Sequence, residues 1–176
     1  TTNKLTSCRV GLKFVPLKST NEDVTLSKDY LELTRLIERL HRRYLDVLST
    51  ELKRAGVRDL NGVQALLLAN IGDEEIAIRD LVERGYYQGS NVSYNIRKLT
   101  DLGYLDQQRA AHDKRSVLVK LTDKGSEVVK LVGSSEARNA EAFTQKLSND
   151  AGLRDACDNL QKLERMWADY IRYGER

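Results

Sequence analysis

The sequence predicts a mainly α-helical fold with one small β-ribbon, and two observations support this prediction. From Leu26 onward, apolar residues recur at alternating spacings of four and three, which is the period of an amphipathic helix. After Gly103 the apolar period changes to two, which is typical of a half-buried strand. A short helix followed by such a ribbon is the arrangement of a winged helix-turn-helix lobe. We predict this lobe together with a helical dimerisation region.

Four segments follow from this reading. Residues 1–25 form an N-terminal arm, which either packs across a partner subunit or is partly disordered. Residues 26–56 form one long dimerisation helix, with Ser27 as its N-cap and Gly56 as its stop. Its apolar stripe is too broad for a single helix to bury without partners. Residues 57–124 form the winged helix-turn-helix domain, and 125–176 form the C-terminal dimerisation helices.

Within the lobe, a helix capped by Asn61 or Asp59 ends at Gly72, and another helix runs from residue 74 or 75 to 84. Ser90 or Asn91 caps the next helix, over 90–102. One face of that helix is apolar and is made of Val92, Ile96, Leu99 and Leu102.

The ribbon pairs residues 104–108 with 116–121 and forms the wing. Thr122 caps a helix that extends to about residue 148, and Leu153 begins the last helix. Candidate buried positions of the first of these helices are Val128, Val129, Val132, Ala140, Phe143 and Leu147. The last helix carries a seam with the spacing of interhelical contacts, made of Ala156, Leu160, Leu163, Trp167 and Tyr170.

The formal net charge is only +3, but its distribution is uneven. Between residues 86 and 120 there are six basic and three acidic side chains, so this segment alone carries the surplus. Such a run is either a solvated charged face or a surface for nucleic acid. We favour double-stranded DNA, because the run coincides with the predicted helix and wing.

Several function classes find little support in the sequence. The two histidines, His41 and His112, fall on different predicted elements, and no metal-ligand cluster or phosphate-binding loop is present. We therefore predict no enzymatic activity, no metal and no cofactor. No apolar run reaches the ~18 residues of a membrane span, and two cysteines suit a reducing compartment, so we expect a cytoplasmic protein without a membrane partner.

The wing segment resembles that of the MarR family of bacterial winged-helix regulators. The matching residues are Arg109, Asp113, Arg115, Ser116, Leu121, Thr122 and Gly125, with Leu99, Leu102, Gly103, Tyr104 and Leu105 before them. The resemblance covers about residues 26–173. The arm and the NVSYNIRKL helix are also similar to the LdtR subgroup, regulators linked to cell-wall L,D-transpeptidase genes. The resemblance implies a homodimer on a pseudo-palindromic operator, modulated by a small aromatic or phenolic effector or by thiol oxidation.

The DNA-contacting side chains are expected on the polar face of the 90–102 helix and on the wing. A side chain such as Asn suits adenine, and Arg or Lys suits guanine or phosphate. Each polar side chain has an ordinary alternative as a helix cap or surface group. In the wing, the resemblance implies that Asp113 orients Arg115 toward the minor groove. The predicted DNA-binding residues are Asn91, Ser93, Tyr94, Asn95, Arg97, Lys98, Arg109, Asp113, Lys114 and Arg115.

Two further sites are expected from the resemblance or from local chemistry. An effector pocket between the dimerisation helices and the DNA-binding lobe would be lined by His41, Tyr44, Gln64, Leu67 and Leu68, which are otherwise plain core. Cys8, near two cations, is either a redox sensor or an inert terminal thiol. The alternative function is a winged-helix protein-interaction module that does not bind DNA.

Overall fold

The structure is a computed structural model, and it describes residues 21–83, 89–109, 116–146 and 150–174. The chain divides into two units, Thr1–Tyr44 and Leu45–Arg176. The first unit contributes the beginning of helix α1 (Asn21–Arg54), and the second holds the remaining elements. No helix among the described ranges is long and apolar enough to cross a membrane.

Helix α1 begins before the predicted start and ends at the predicted stop. It starts at Asn21, so the prediction that Ser27 caps it is wrong. No glycine or proline separates these two positions, so nothing in the backbone prevents the helix from beginning earlier. At the other end Gly56 adopts a φ of 84°, and the amide of Val57 donates to the Leu52 carbonyl. This is the glycine-terminated stop that the sequence predicts.

Helix α2 (Gly62–Ile71) has a complete capping box. The Asn61 side chain accepts from the Gln64 amide, and the Gln64 side chain accepts from the Asn61 amide. Of the two predicted caps, Asn61 is therefore the one used. Gly72 ends the helix with a φ of 69°, which confirms the predicted stop.

A short strand precedes helix α3 (Ile78–Glu83), where the sequence predicts only helix. Strand β1 (Ile76–Ala77) pairs with a strand of the wing, with Ile76 opposite Val119. The prediction that the helix begins at residue 74 or 75 is wrong, because the buried Ile76 and Ala77 pair with a strand distant in the sequence. The predicted end at residue 84 lies outside the described residues.

Helix α4 (Gly89–Asp101) and the wing follow the predicted order. Both predicted caps, Ser90 and Asn91, lie within the first turn of α4, so the prediction that one of them caps this helix is wrong. Gly103, with a φ of 75°, turns the chain into strand β2 (Leu105–Arg109). Strand β3 (Val117–Leu121) pairs antiparallel with β2, and the sheet order is β1-β3-β2.

Two helices complete the chain. Helix α5 (Asp123–Lys146) is capped by Thr122, whose hydroxyl accepts from the Gly125 amide, as the sequence predicts. Its first half packs on α2 and buries Val128 and Val132. Phe143 is 51% exposed and Ala140 is also exposed, so the predicted burial of these two is wrong within one chain.

Helix α6 (Asp150–Tyr173) begins three residues before the predicted start at Leu153, which is therefore wrong. No proline lies between residues 150 and 153, so nothing in the backbone prevents the helix from beginning earlier. The predicted end of α5 at residue 148, and Leu147, lie outside the described residues.

Candidate nucleic-acid interface

Helix α4 has one buried and one exposed face. Val92, Ile96 and Leu99 are at most 1% exposed, which confirms the apolar stripe predicted from their spacing, with Leu102 half-buried at its end. The side chains between them project outward because each residue of an α-helix advances about 100° around the axis. The exposed predicted DNA-binding residues of α4 are Asn91, Ser93, Tyr94 and Arg97.

Two of the predicted DNA-binding residues of α4 lie between its exposed and its buried face. Lys98 is half-buried, and so is Asn95. The Asn95 side chain donates to the Asn91 carbonyl at 2.9 Å and accepts from the Gln64 side chain at 3.2 Å. Its amide is thus already engaged inside the chain at both ends.

The described part of the wing extends the polar surface of α4. Arg109 is exposed at the end of β2, opposite Val117. Lys120, also exposed, faces away from the buried Val119 and Leu121 because neighbouring strand residues point to opposite faces. Predicted wing-tip residues Asp113, Lys114 and Arg115 lie outside the described residues, so their roles stay predictions.

Hydrogen bonds attach the wing to its neighbours. Gln107 donates to the Thr100 hydroxyl of α4 at 2.7 Å, and Gln108 donates to Glu75 beside β1. Helix α4 and strand β2 are therefore linked by a side-chain hydrogen bond as well as by the Gly103 turn.

A cluster that the sequence analysis missed joins three parts of the lobe, namely the α1–α2 connection, the segment between α4 and β2, and the start of α5. Tyr104 is 2% exposed and its hydroxyl donates to Asp59 at 2.8 Å. Lys124 lies 3.9 Å from the centre of the Tyr104 ring and 3.6 Å from the other Asp59 oxygen. It also donates to the Leu102 carbonyl at 2.9 Å. We call these three residues, Asp59, Tyr104 and Lys124, the anchor cluster.

The anchor cluster changes the ionisation of its members. Burial, and then the hydrogen bond to Asp59, raises the pKa of Tyr104 to about 12. Burial acts to raise the pKa of Asp59 too, but the Tyr104 hydrogen bond and the charge of Lys124 outweigh it, so the pKa of Asp59 is lowered. The neutral tyrosine and the ionised carboxylate are thus the forms that stabilise the fold.

Glycine is required where α5 passes the wing. A Cβ on Gly125 would overlap the Tyr104 carbonyl oxygen and approach the Leu121 side chain to 3.2 Å. The Thr122 hydroxyl, which caps α5, also donates to the Gly103 carbonyl at 2.8 Å. The end of β3 and the start of α5 are therefore held against the Gly103–Tyr104 turn by three residues that match the MarR pattern, Leu121, Thr122 and Gly125.

The residues of the predicted effector pocket fall in both units. His41, which is exposed, and Tyr44, which is half-buried, belong to the first unit. In the second unit, Leu67 and Leu68 are fully buried and Gln64 is 1% exposed. The pocket therefore stays a prediction.

Histidine, cysteine and acidic side chains are the remaining candidates for chemistry in the part of the chain that the structure describes. Over those residues, no group of three histidine, cysteine or acidic side chains could hold a metal ion. Cys157 is an exposed free thiol on α6. The predicted redox residue Cys8 lies outside the described residues.

Comparison with known proteins agrees with this geometry. Residues 60–125 match a family model described as a winged helix DNA-binding domain. The exopolysaccharide II synthesis transcriptional activator ExpG of Rhizobium meliloti (strain 1021) is 34% identical over 145 residues, which are 82% of this chain and 75% of ExpG.

Solved structures show the same fold. The crystal structure of a MarR family transcription regulator superimposes with a TM-score of 0.71 at 14% identity, covering 87% of this chain and 99% of that one. Streptococcus pneumoniae FabT in complex with DNA gives a TM-score of 0.67 at 16% identity, covering 80% and 98%. These relatives leave the LdtR resemblance without support. The chain has the MarR-type winged-helix fold and belongs to the family of transcription regulators that includes ExpG.

Proposed function

We propose that this regulator binds a pseudo-palindromic DNA operator as a homodimer, with α4 in the major groove and the wing in the adjacent minor groove. The observation that carries the proposal is the division of α4 into a buried apolar face and an exposed polar face. The polar face holds Asn91 and Arg97, side chains suited to adenine and guanine edges. A major groove about 12 Å wide admits one such helix.

The wing would supply contacts beside the helix. Arg109 is exposed at the start of the wing tip, and the sequence adds Lys114 and Arg115 beyond it. Arginine is attracted to narrow minor grooves by their negative potential, and Asp113 would orient Arg115 there. Lys98 and Arg109 would bind phosphate, which adds affinity without reading sequence.

Unburied apolar surface on the long helices supports the dimer. On α6, Leu160 is 40%, Met166 51% and Tyr170 58% exposed. An amphipathic helix with such a face needs a partner to bury it. Helix α1 carries exposed apolar residues as well, namely Tyr30, Leu31, Leu36, Leu40 and Val47. We propose a second copy of the chain as that partner, which would set half-sites about one helical turn apart, ~34–36 Å.

The dimer is tested by placing a charge in the α6 seam. Leu160→Glu should shift the sedimenting species toward monomer, because a carboxylate would be buried in the interface. Gln161→Glu is the matched control, since Gln161 is exposed and lies about 100° around the helix axis from Leu160, away from the seam. A wild-type chain that sediments as a monomer at micromolar concentration would remove the dimer from the proposal.

DNA binding is tested by gel-shift titration of a selected operator against scrambled duplex. Arg115→Ala should lower operator affinity while the dimer stays intact, and unchanged affinity would remove the wing from the mechanism. If no duplex is preferred, the alternative of a protein-interaction module gains support instead.

The remaining parts of the proposal come from the resemblance. A small aromatic or phenolic effector, bound near His41, Tyr44, Gln64, Leu67 and Leu68, would change the half-site separation and weaken or redirect DNA binding. A protein that acts on the bacterial chromosome works in the cytoplasm, so we also propose a cytoplasmic location. Calorimetric titration with phenolic carboxylates, followed by gel shift, tests the effector.

A further inference from the structure

Gln64 is a polar side chain in the core of the DNA-binding lobe. It is 1% exposed, so its amide must find partners within the protein. Its Oε1 accepts from the Asn61 backbone amide at 3.1 Å, and its Nε2 donates to the Asn95 Oδ1 at 3.2 Å. Gln64 therefore joins the start of α2 to the middle of α4.

Asn95 completes the link on the α4 side. Its Nδ2 donates to the Asn91 carbonyl at 2.9 Å, while its Oδ1 receives the Gln64 bond. Both ends of this side-chain amide are therefore engaged by groups of the protein itself, one on α4 and one on α2. The neighbouring Tyr94, by contrast, is 65% exposed.

The same path continues from α2 to the second half of α1. The Gly62 amide donates to the Ser49 hydroxyl at 2.9 Å, and that hydroxyl donates to the Leu45 carbonyl at 2.9 Å. A Cβ on Gly62 would overlap the Leu45 carbonyl oxygen, so the two helices are in close contact here. All residues of the path belong to the second unit.

We propose that Gln64 is a positioning residue that fixes the rotation of α4 about its own axis, with Asn95 as its partner instead of a base-contacting residue. The proposal rests on the proposed function, because the rotation of α4 about its axis affects base contacts only if α4 binds in the major groove. It gives the hydrogen-bonded pair Gln64 and Asn95 one shared role, although the sequence predicted an effector pocket for Gln64 and a DNA contact for Asn95.

A hydrogen bond can fix the rotation of α4 because, unlike an apolar contact, it depends on direction. The apolar contacts of Val92, Ile96 and Leu99 are non-directional and tolerate a small rotation of the helix. A rotation of about 20° would move atoms at the ~5–6 Å outer radius of a helix by roughly 2 Å. A hydrogen bond of about 3 Å would not survive that displacement, either at Gln64 or at a base edge. The Gln64–Asn95 bond thus restricts the rotation to a range in which base contacts form.

The test is a double-mutant cycle on DNA discrimination, defined as the ratio of affinities for the selected operator and for scrambled duplex. Gln64→Met and Asn95→Leu should each lower the ratio about tenfold, and the double variant should lower it about tenfold as well, because all three break one link. Val128→Ala is the control: Val128 is 4% exposed in α5, so its truncation should lower the melting temperature without changing the ratio.

Two results would overturn the proposal. One is a double variant whose loss is the product of the single losses, roughly a hundredfold, which would make Asn95 an independent base contact. The other is a Gln64→Met variant that keeps the wild-type ratio. If the wild-type chain binds no duplex in preference to another, the proposed function fails. The positioning role of Gln64 is then tested on the free protein, from its backbone amide resonances. Gln64→Met should then shift resonances throughout 91–98, and unchanged resonances would refute it.

Discussion

Replacing Tyr104 with phenylalanine removes one oxygen atom from the anchor cluster and leaves the buried ring in place. The lost interaction is a 2.8 Å hydrogen bond to an ionised carboxylate. Bonds to charged groups contribute about 1.5–3 kcal/mol, and the Asp59 side chain is 42% exposed, so water compensates in part and we expect about 1.5 kcal/mol. For a chain of this size that corresponds to a melting temperature lower by ~3–6 °C.

The pH dependence makes this prediction specific to the hydroxyl. Because the pKa of Tyr104 is raised from 10.0 to about 12, the unfolded chain releases this proton first. The stabilisation is complete below pH 10 and is lost as pH rises toward 12, with a slope of up to about 1.4 kcal/mol per pH unit. Because about 1.5 kcal/mol is lost at this slope within roughly one pH unit, the gap between wild type and Tyr104→Phe should close at about pH 11.

The assay is urea unfolding followed by circular dichroism at fixed protein concentration, from pH 7 to pH 12. Tyr94→Phe is a matched control, because Tyr94 is 65% exposed and loses the same oxygen atom without breaking a buried contact. Equal stability of Tyr104→Phe and wild type at pH 7, or a gap that stays constant up to pH 12, would refute the reasoning.

Three further predictions concern the wing base and the DNA. Gly125→Ala should destabilise the fold by about 1–3 kcal/mol, because its Cβ would overlap the Tyr104 carbonyl oxygen; denaturant unfolding measures this, and an unchanged midpoint contradicts it. Arg97→Ala should weaken operator binding by about 1–3 kcal/mol in gel-shift titration with an unchanged circular dichroism spectrum, whereas equal affinity would take Arg97 out of the interface. Operator affinity should also fall steeply with salt, by about a thousandfold between 50 and 200 mM if roughly six phosphates are neutralised, and a flat response would favour a protein partner.

Elements with local signals were predictable from the sequence. The capping box of Asn61 and Gln64, the turn at Gly103 and the Thr122 cap of α5 each depend on residues within four positions, and the structure has all three. The inner face of α4 was predictable for the same reason, since its period lies within one helix.

Features that depend on distant partners were not predictable. Strand β1 has two residues and exists because Ile76 and Ala77 pair with β3. Tyr104 gave a signal as an aromatic residue at the start of a strand, but nothing in the local pattern connects it with Asp59 or Lys124. Burial of Phe143 was expected from its apolar type, yet the described elements of one chain leave it 51% exposed.

In the candidate interface too, local features were predictable and tertiary contacts were not. Periodicity separated Asn91 and Arg97, on the exposed face, from the apolar stripe. It could not show that Gln64 and Asn95 bond to each other, because the link joins two helices whose packing is tertiary.

We propose that two copies of one polar helix face are held at the pitch of B-form DNA. Selection of bound duplexes from a random library by the purified wild-type chain tests it most directly, with the mass of the complex measured on the enriched sequence. We predict an inverted repeat with half-site centres about one helical turn apart, bound by two chains. A library that yields no enriched sequence, or an enriched duplex bound by a single chain, would contradict the account.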